Sequence, residues 1–302
     1  MSFEFELKTL KIPSSRPGWN LDAWQYLPAD KEVARPTPII VMAHGFGADK
    51  TMGLGRYAET FAAAGYACLV FDYRRWGASD GTPRQVLMVK DQLEDYRTVI
   101  KYARQQPEFD PQRLVLWGSS FSGAHAITLS AENAVNAVAA LAQCPYTGTS
   151  PPLPFGLVSL KIAASVVLDI IKQTLGFAPV YIPVVSEPGT VGALTTEGTR
   201  AGMLVICSNP RYLNQISASS LLQVPSYQPR AKAARINCPL LIVLPTQDNL
   251  CLPQGAEQIA KATEKCELVS VTCGHFDVYY GASHHTESIT AQLEFLKKHI
   301  PV

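Results

Sequence analysis

The fold of this chain is decided by the stretch Leu114-Val-Leu-Trp-Gly-Ser-Ser-Phe-Ser-Gly-Ala-His125. An apolar run that predicts a buried strand turns through Gly118 into small residues that predict a helix beginning near Ser122. This spacing places Ser120 at the apex of a sharp turn, where large side chains two residues away would collide with the backbone. The helix would direct its free N–H groups toward the serine oxygen. The stretch predicts a nucleophile elbow, but Ser122 replaces the second glycine of G-x-S-x-G, which leaves an ordinary strand–loop–helix turn as the alternative.

On either side of this stretch, apolar runs alternate with helical patterns. The runs that predict strands are 38–43, 66–73, 114–117, 135–144, 239–245 and 267–272. Continuously apolar strands separated by amphipathic helices indicate an α/β fold, a mostly parallel sheet with helices on both faces. Residues 146–235 break this rhythm with prolines and a Thr/Ser-rich segment around one long apolar helix. We therefore predict a core made of residues 1–145 and 236–302, with an inserted cap over 146–235.

The predicted strands bring chemistry-bearing side chains to one edge of the sheet. Ligands of such sheets bind outside the carboxyl ends of the strands. The polar residues that follow or end a predicted strand are His44, Asp72, Ser120, Asp248 and His275.

Three of these residues form a candidate catalytic set. A serine hydroxyl needs a base within hydrogen-bonding reach and a carboxylate that orients the base. Ser120, Asp248 and His275 occur in the chain order that accompanies such elbows. Taken singly, Asp248 also fits an Asx turn that closes a strand, and His275 also fits a structural histidine. Together they predict Ser120 as nucleophile, His275 as general base and then acid, and Asp248 as its orienter.

The tetrahedral intermediate of acyl transfer needs two N–H donors. We expect them to be the backbone groups of Phe121, directly after the nucleophile, and of Phe46 in the turn His44-Gly-Phe-Gly47. Gly45 and Gly47 would let this turn approach the substrate oxygen. His44 is interpreted mainly as part of the turn, with a proton-transfer role as the weaker alternative.

Several other side chains are interpreted as structural. We expect Asp277 to hold the loop of His275 and His125 to be a buried structural residue. Cys144 has no elbow around it and is not expected to be a nucleophile. No histidine pair has ligand spacing, so the sequence gives no support for a metal site, and no cofactor is expected.

The composition excludes some classes of protein. The chain has 302 residues, 17% of them charged, and a net charge of +1, so nucleic acid is not an expected partner. Seven scattered cysteines without a C-x-x-C pair favour a reducing compartment. The start of the chain lacks a signal-peptide pattern, and we expect a cytoplasmic protein. Charged residues interrupt the apolar run 155–177, which predicts a buried or surface-docking helix and no membrane contact.

These residues resemble the α/β-hydrolases of the serine type. The resemblance runs from about residue 20 to the C-terminus, and its motifs are together highly specific. They are H-G-F-G (44–47), F-D-Y-R-R-W-G-A-S-D-G (71–81), W-G-S-S-F-S-G (117–123), T-Q-D (246–248) and G-H-F-D-V-Y-Y-G (274–281). The chain is most similar to a branch of bacterial and fungal hydrolases that includes fungal polyketide transferases and toxin-pathway hydrolases, and segments 143–146, 181–185 and 194–196 look like its cap. This branch implies acyl transfer through an acyl-serine.

The leading hypothesis is a serine hydrolase that cleaves a small-molecule ester or thioester, in the setting of secondary metabolism that the branch implies. An acyltransferase that moves a polyketide or other acyl group from an acyl-carrier protein to an alcohol would use the same residues. A non-hydrolytic binding protein or cyclase on the same scaffold is the third hypothesis. For substrate binding we expect Gly45, Trp76 and Tyr146, with the helix 157–175 as a further wall of the acyl pocket.

Overall fold

The computed structural model describes residues 5–29, 36–151 and 156–302. Its strands are β1 (Phe5–Pro13), β2 (Asn20–Pro28), β3 (Thr37–Ala43), β4 (Ala67–Phe71), β5 (Phe109–Ser119), β6 (Ala139–Gln143), β7 (Tyr181–Ile182), β8 (Ile216–Ser217), β9 (Leu240–Pro245) and β10 (Cys266–Val271). Its α-helices are α1 (Leu54–Ala63), α2 (Val89–Ala103), α3 (Phe121–Ser130), α4 (Leu157–Thr174), α5 (Thr199–Ile206), α6 (Gln223–Ser226), α7 (Pro253–Ala262) and α8 (His285–His299). Two 3-10 helices span Ala218–Leu222 and Pro229–Arg235.

Within the described residues, eight strands form one sheet in the order β1-β2-β4-β3-β5-β6-β9-β10. The β1–β2 and β2–β4 pairs are antiparallel, and every later pair in this order is parallel. This confirms the predicted mostly parallel sheet. The all-apolar runs lie where the sheet is covered on both faces, since every residue of β4, β6 and β9 is buried.

The phenol of Tyr96 ties helix α2 to the centre of the sheet. Its oxygen lies 2.7 Å from the carbonyl oxygen of Val41 on β3 and 2.8 Å from that of Trp117 on β5. It also accepts the backbone N–H of Trp117. A buried hydroxyl needs such partners, and here they fix the helix against the two strands that lead into the candidate site.

The segment between β6 and β9 lies outside the main sheet. Among its described residues, β7 and β8 pair only with each other, and α4 packs on the 3-10 helix that begins at Ala218. The division into a core and a cap over 146–235 stays a prediction, and both predicted units include some residues outside the described ranges. The apolar run predicted over 155–177 begins at Phe155, which also lies outside them.

Helix α4 is exposed along most of its apolar length. Ile162, Val166 and Asp169 are its buried residues, whereas Leu157, Leu160 and other large apolar side chains face outward. In the described part of the chain, no helix is both long enough and apolar enough to cross a membrane.

Candidate active site

The nucleophile elbow is present and strained at its apex. Ser120 has φ 55° and ψ −117°, a conformation that residues other than glycine rarely adopt, and helix α3 begins at the next residue. A Cβ atom at Gly118 would collide with the carbonyl oxygen of Ser122, so this position admits only glycine. The predicted turn from β5 into α3 is therefore imposed by a close backbone crossing.

The departure from G-x-S-x-G at Ser122 has a structural reason. The Ser122 hydroxyl donates to the carbonyl of His44 over 2.6 Å and lies 2.5 Å from the Tyr73 phenol oxygen. The serine thus joins the elbow to the predicted oxyanion turn. The glycine that allows close packing here is Gly123, whose backbone lies against Pro145. A Cβ atom at Gly123 would lie 2.8 Å from Pro145 Cβ.

The loops after β9 and β10 bring Asp248 and His275 together. His275 Nδ1 and Asp248 Oδ2 are 2.6 Å apart, and both side chains are almost fully buried. Asp248 Oδ1 accepts the backbone N–H groups of Leu250 and Cys251, each over 2.8 Å. The carboxylate therefore closes its own turn, the alternative weighed from the sequence, and also orients the imidazole.

Electrostatics favour a basic imidazole at His275. Burial opposes the charged form of His275, but the Asp248 carboxylate and the nearby Cys144 and Cys251 together outweigh burial and raise its pKa well above the usual value. With Nδ1–H donated to Asp248, the free nitrogen Nε2 is available to take a proton. The loop is held by Asp277, whose carboxylate accepts the Gly274 N–H over 2.8 Å, as expected from the sequence.

Ser120 and His275 line one small cavity together with Gly45 and Phe46. Among the described residues, no hydrogen bond within 3.5 Å joins Ser120 Oγ to His275 Nε2. Such bonds are commonly long before substrate binds and shorten in the complex. The structure thus brings the predicted nucleophile, base and orienting carboxylate to one place, without a hydrogen bond between Ser120 and His275.

Two cysteines that sequence reasoning did not assign to the site lie beside it. Cys144 Sγ is 3.8 Å from His275 Nε2, and Cys251 Sγ is 4.0 Å from Ser120 Oγ. Burial raises the pKa of the Cys251 thiol to about 11, so this thiol stays protonated at neutral pH. Cys144 has φ 38°, a second strained residue beside Ser120. The only sequence signal was position, since Cys144 ends a predicted strand and Cys251 follows Asp248 by three residues.

The predicted oxyanion donors are adjacent. Gly45 approaches the elbow, since a Cβ atom there would lie 3.0 Å from Ser120 Cβ, and the rings of Phe46 and Phe121 pack edge to face at 5.6 Å. Among the described residues, neither the Phe46 nor the Phe121 backbone N–H donates a hydrogen bond. Phe121 is the first residue of α3, where such groups have no partner within the helix.

A larger cavity of about 220 Å³ opens from Ser120. Phe46, Phe121 and Tyr146 form part of its wall, and Cys251 also reaches it. Its remaining lining comes mainly from apolar and small residues of the segment 146–235, namely Ser150, Pro151, Ala193, Leu194, Thr195, Thr196, Leu221, Val224 and Pro225, with Leu250 from the core. This suits an acyl group with few polar atoms.

Of the predicted substrate-binding residues, Gly45 and Tyr146 line the cavities at Ser120. Trp76 does not, because it lines a separate polar cavity with Lys50, Asp72 and other residues, and its indole N–H donates to the Val86 carbonyl. No described residue of α4 lines either cavity at Ser120. The expected contacts of Trp76 and of helix 157–175 with the acyl pocket are therefore absent from the described structure.

His44 and Asp72 lie at the same sheet edge, and they bond to residues of the neighbouring loops. The His44 ring accepts the Tyr73 N–H at 3.5 Å, and burial lowers its pKa. The Asp72 carboxylate accepts the backbone N–H and the ammonium group of Lys50 at 2.7 and 2.6 Å. Both residues shape the loops beside the site.

Comparison with known proteins places the chain among hydrolases. Residues 34–286 match the family described as serine aminopeptidase, S33 (Hydrolase_4). The chain is 37% identical over 283 residues to the quorum-quenching protein AidA of Acinetobacter baumannii (strain MDR-ZJ06), covering 93% of this chain and 91% of that protein. It is 26% identical over 271 residues to the polyketide transferase ATR5 of Stachybotrys chlorohalonatus (strain IBT 40285), covering 86% and 89%. The crystal structure of the alpha/beta hydrolase GrgF from Penicillium sp. sh18 superposes with a TM-score of 0.81 at 24% identity, covering 98% of this chain and all of that chain.

Proposed function

Because this chain belongs to the serine aminopeptidase S33 family of α/β-hydrolases, we propose that it cleaves an ester or thioester through an acyl-serine on Ser120. The membership confirms the resemblance drawn from the sequence motifs, including the branch with fungal polyketide transferases, and the chain is an α/β-hydrolase enzyme. The observation that carries the finer proposal is the shared cavity of Ser120 and His275, with His275 bonded to Asp248 at 2.6 Å.

In the proposed reaction, Ser120 Oγ attacks the carbonyl carbon of the substrate while its proton passes to His275 Nε2. The resulting oxyanion accepts the backbone N–H groups of Phe46 and Phe121. His275 then returns the proton to the leaving alcohol or thiol, which leaves the acyl group on Ser120. Water attacks this acyl-enzyme with His275 again as base, which releases the carboxylic acid and restores the hydroxyl. Asp248 stays ionised throughout and stabilises the imidazolium form.

The test is hydrolysis of p-nitrophenyl esters by the wild type and by Ser120→Ala. We expect the variant to lose about 10³-fold or more in kcat, as for other serine nucleophiles. Ser165→Ala is the matched control, since that hydroxyl bonds the Lys161 carbonyl on α4 and lies away from the site. A stoichiometric organophosphonate adduct on the peptide that carries Ser120 is the independent readout. A wild type that neither hydrolyses esters nor forms the adduct would favour the binding-protein or cyclase hypothesis.

Acyl transfer to an alcohol is the second candidate function. It is favoured by the mainly apolar lining of the cavity at Ser120 and by similarity to a protein named a polyketide transferase. In this reaction the acceptor hydroxyl replaces water in the second half, and an acyl-carrier thioester is the proposed donor. Adding alcohols to the ester assay tests it: transferase activity gives ester product at constant release of p-nitrophenol, and a hydrolase gives the free acid alone.

A further inference from the structure

Two cavities border on Ser120, and they differ in which part of the catalytic machinery they contain. Ser120 and Phe46 line both of them. The cavity of about 220 Å³ also contains Phe121, the residue of the second oxyanion donor, whereas the other, of about 30 Å³, contains His275. An ester or thioester extends in two directions from its carbonyl carbon, so the two cavities can receive its acyl group and its leaving group separately.

The position of His275 decides which cavity receives which group. An alkoxide or alkyl thiolate takes up a proton as it leaves, and in the proposed reaction His275 Nε2 supplies it. The leaving oxygen or sulfur must therefore lie within hydrogen-bonding reach of His275, which lines the smaller of the two cavities and not the larger. The acyl chain then occupies the larger cavity.

The smaller cavity offers little room and few polar partners. Its volume of about 30 Å³ suffices for roughly one or two water molecules. Two further hydroxyl groups on its wall, those of Ser119 and Tyr279, bond each other over 2.6 Å. Apolar side chains form most of the remaining wall, among them Met203, Ile206 and Phe276. A leaving group that fits here is short and carries no polar group besides its reacting atom.

Helix α5 closes this cavity beside the base. Its residues Met203 and Ile206 are buried, whereas Leu204 is 56% exposed. The helix lies directly against the residue that follows His275, because a Cβ atom at Gly202 would lie 2.3 Å from Phe276 Cδ2. This close contact leaves Met203 as the flexible side chain that limits the space in front of the base.

Both ends of α5 are bonded to loops of the site. Before the helix, Asn249 in the loop of Asp248 donates to the Glu197 carbonyl over 3.0 Å. After the helix, the Tyr212 phenol donates to the carbonyl of Gly47, in the predicted oxyanion turn, over 3.0 Å. The wall is thus held in place, and the cavity widens only if such bonds break.

We propose that the smaller cavity receives the leaving group and that Met203 restricts it to a short alkyl alcohol or thiol. The proposal rests on the proposed function, because it requires Ser120 as nucleophile and His275 as general acid. As the tetrahedral intermediate collapses, its C–O or C–S bond breaks, the electron pair stays on the leaving atom and His275 supplies the proton. The long thiol of an acyl carrier would exceed this cavity, so the proposal favours hydrolysis of a short alkyl ester or thioester.

The test is a series of alkyl butanoates, from methyl to butyl, with the acyl group held constant and acid release followed at constant pH. We expect kcat/KM of the wild type to fall about 10-fold or more once the alcohol outgrows the cavity, a usual effect of one methylene in a closed apolar pocket. Met203→Ala should enlarge the cavity and reduce this fall by about 10-fold or more. Ile206→Val shortens a second side chain of the same wall and provides a measurement if Met203→Ala fails to fold.

Two further variants are matched controls. Leu204→Ala changes an exposed side chain of the same helix, and Leu221→Ala changes the larger cavity. Both should keep the wild-type dependence on alcohol length. Equal cleavage of methyl and butyl esters by the wild type, or preference for an N-acetylcysteamine thioester over a methyl thioester, would overturn the leaving-group assignment. A changed alcohol dependence in Leu221→Ala but not in Met203→Ala would do the same.

Activated esters separate this proposal from the proposed function. p-Nitrophenolate is stable enough to leave without a proton, so it need not lie in the cavity of His275. If the wild type cleaves p-nitrophenyl butanoate and shows no dependence on alkyl length, the leaving-group assignment alone is wrong. A wild type that cleaves neither class of ester and forms no organophosphonate adduct at Ser120 would overturn the proposed function and this proposal with it.

Discussion

At the scale of single residues, the site depends on backbone positions where only one residue type fits. Gly118 is required because the Ser122 carbonyl crosses directly over it. Ser120 itself adopts a strained conformation at the start of α3. Strain of this kind persists only where the surrounding structure fixes it, and it is concentrated at functional sites. Here the elbow bonds of Ser122 to the His44 carbonyl and to Tyr73 help to fix it.

Gly47 in the predicted oxyanion turn gives a prediction at this scale. It has φ 64°, and a Cβ atom there would collide with the buried Val184 side chain. We expect Gly47→Ala to destabilise the fold by about 2–4 kcal/mol, from left-handed strain and overpacking. We also expect kcat for ester hydrolysis to fall about 10-fold or more, since the turn carries the Phe46 N–H. Denaturant unfolding and ester kinetics measure the two effects.

Gly176→Ala is the control for Gly47→Ala. Gly176 has φ 79° but no atom within 4 Å of the added Cβ, so only left-handed strain of about 1–2 kcal/mol applies. Its activity should stay at the wild-type level. Equal losses of stability in the two variants would contradict the role of the Val184 contact.

His125 predicts a loss of stability in acid. It is fully buried between Tyr227, 2.8 Å from Nδ1, and Gln92, 3.0 Å from Nε2, and burial lowers its pKa to about 3. The unfolded chain takes up this proton at about pH 6.5, whereas the folded chain does not. The free energy of unfolding should therefore fall by about 1.4 kcal/mol per pH unit from this group as the pH drops below about 6.5.

Denaturant titrations at about pH 7 and about pH 5 measure this dependence. In His125→Asn, the number of protons taken up on unfolding in acid should be lower by about one, which makes the pH dependence shallower. This holds even if the variant is less stable at neutral pH. His284→Asn changes a half-buried residue at the start of α8 and should keep the wild-type dependence. An unchanged slope in His125→Asn would refute the assignment.

At the scale of elements, helix α4 carries a buried charged residue that accepts several hydrogen bonds. Asp169 accepts the backbone N–H groups of Val180 and Ser219 and the hydroxyl of Ser217, at 2.7, 2.8 and 2.6 Å. In the sequence this residue was evidence against a membrane span. In the fold it anchors α4 to the strand pair β7–β8 and to the 3-10 helix that follows.

That 3-10 helix, Ala218–Leu222, gives a prediction about the acyl pocket. Leu221 lines the cavity at Ser120, whose volume of about 220 Å³ is below the range of about 300–1,000 Å³ for small-molecule sites. We expect the wild type to prefer short acyl groups and Leu221→Ala to move the optimum of kcat/KM toward longer ones. The measurement is hydrolysis of a p-nitrophenyl ester series of increasing chain length.

The neighbouring Leu222 is the control for this change. Its side chain is 54% exposed, and it does not line the cavity. Leu222→Ala should keep the wild-type preference. If Leu221→Ala lowers kcat/KM equally for all chain lengths, Leu221 does not limit the acyl group.

At the scale of the whole molecule, a buried charge network joins segments that are distant in sequence. Lys50 Nζ, on the loop after β3, lies 2.5 Å from Asp22 on β2 and 2.6 Å from Asp72 after β4. All three side chains are at least nine-tenths buried. Lys50 thus holds the antiparallel edge of the sheet to the loops beside the candidate site.

Replacing the buried Lys50 should lower the free energy of unfolding far more than replacing an exposed lysine. Lys50→Met removes the ammonium group that pairs with the buried carboxylates of Asp22 and Asp72. We expect the free energy of unfolding to fall by about 3–5 kcal/mol. Lys8→Met breaks the exposed pair with Glu6 and should change it by less than about 1 kcal/mol. Denaturant unfolding of both variants is the measurement. Similar losses of unfolding free energy in Lys50→Met and Lys8→Met would mean that the buried network stabilises the fold no more than a surface ion pair does.

The sequence by itself determined the fold class and the candidate catalytic residues. Apolar runs of strand length, separated by helical patterns, left few ways to cover the sheet, so the parallel arrangement was predictable. The elbow was predictable because its small residues are adjacent in the chain. Asp248 and His275 were predictable as candidates because each follows such a strand, and parallel strands end at the same edge of the sheet.

Only the tertiary structure decided what surrounds these residues. Trp76 lines a separate cavity, α4 turns its apolar face outward, Cys144 lies beside His275, and Cys251 lies beside Ser120. Each of these outcomes depends on contacts between segments far apart in the chain, which local periodicity does not encode. Side-chain packing fixes them only after the sheet has formed, since loop residues carry no pattern that tells which neighbour they will face.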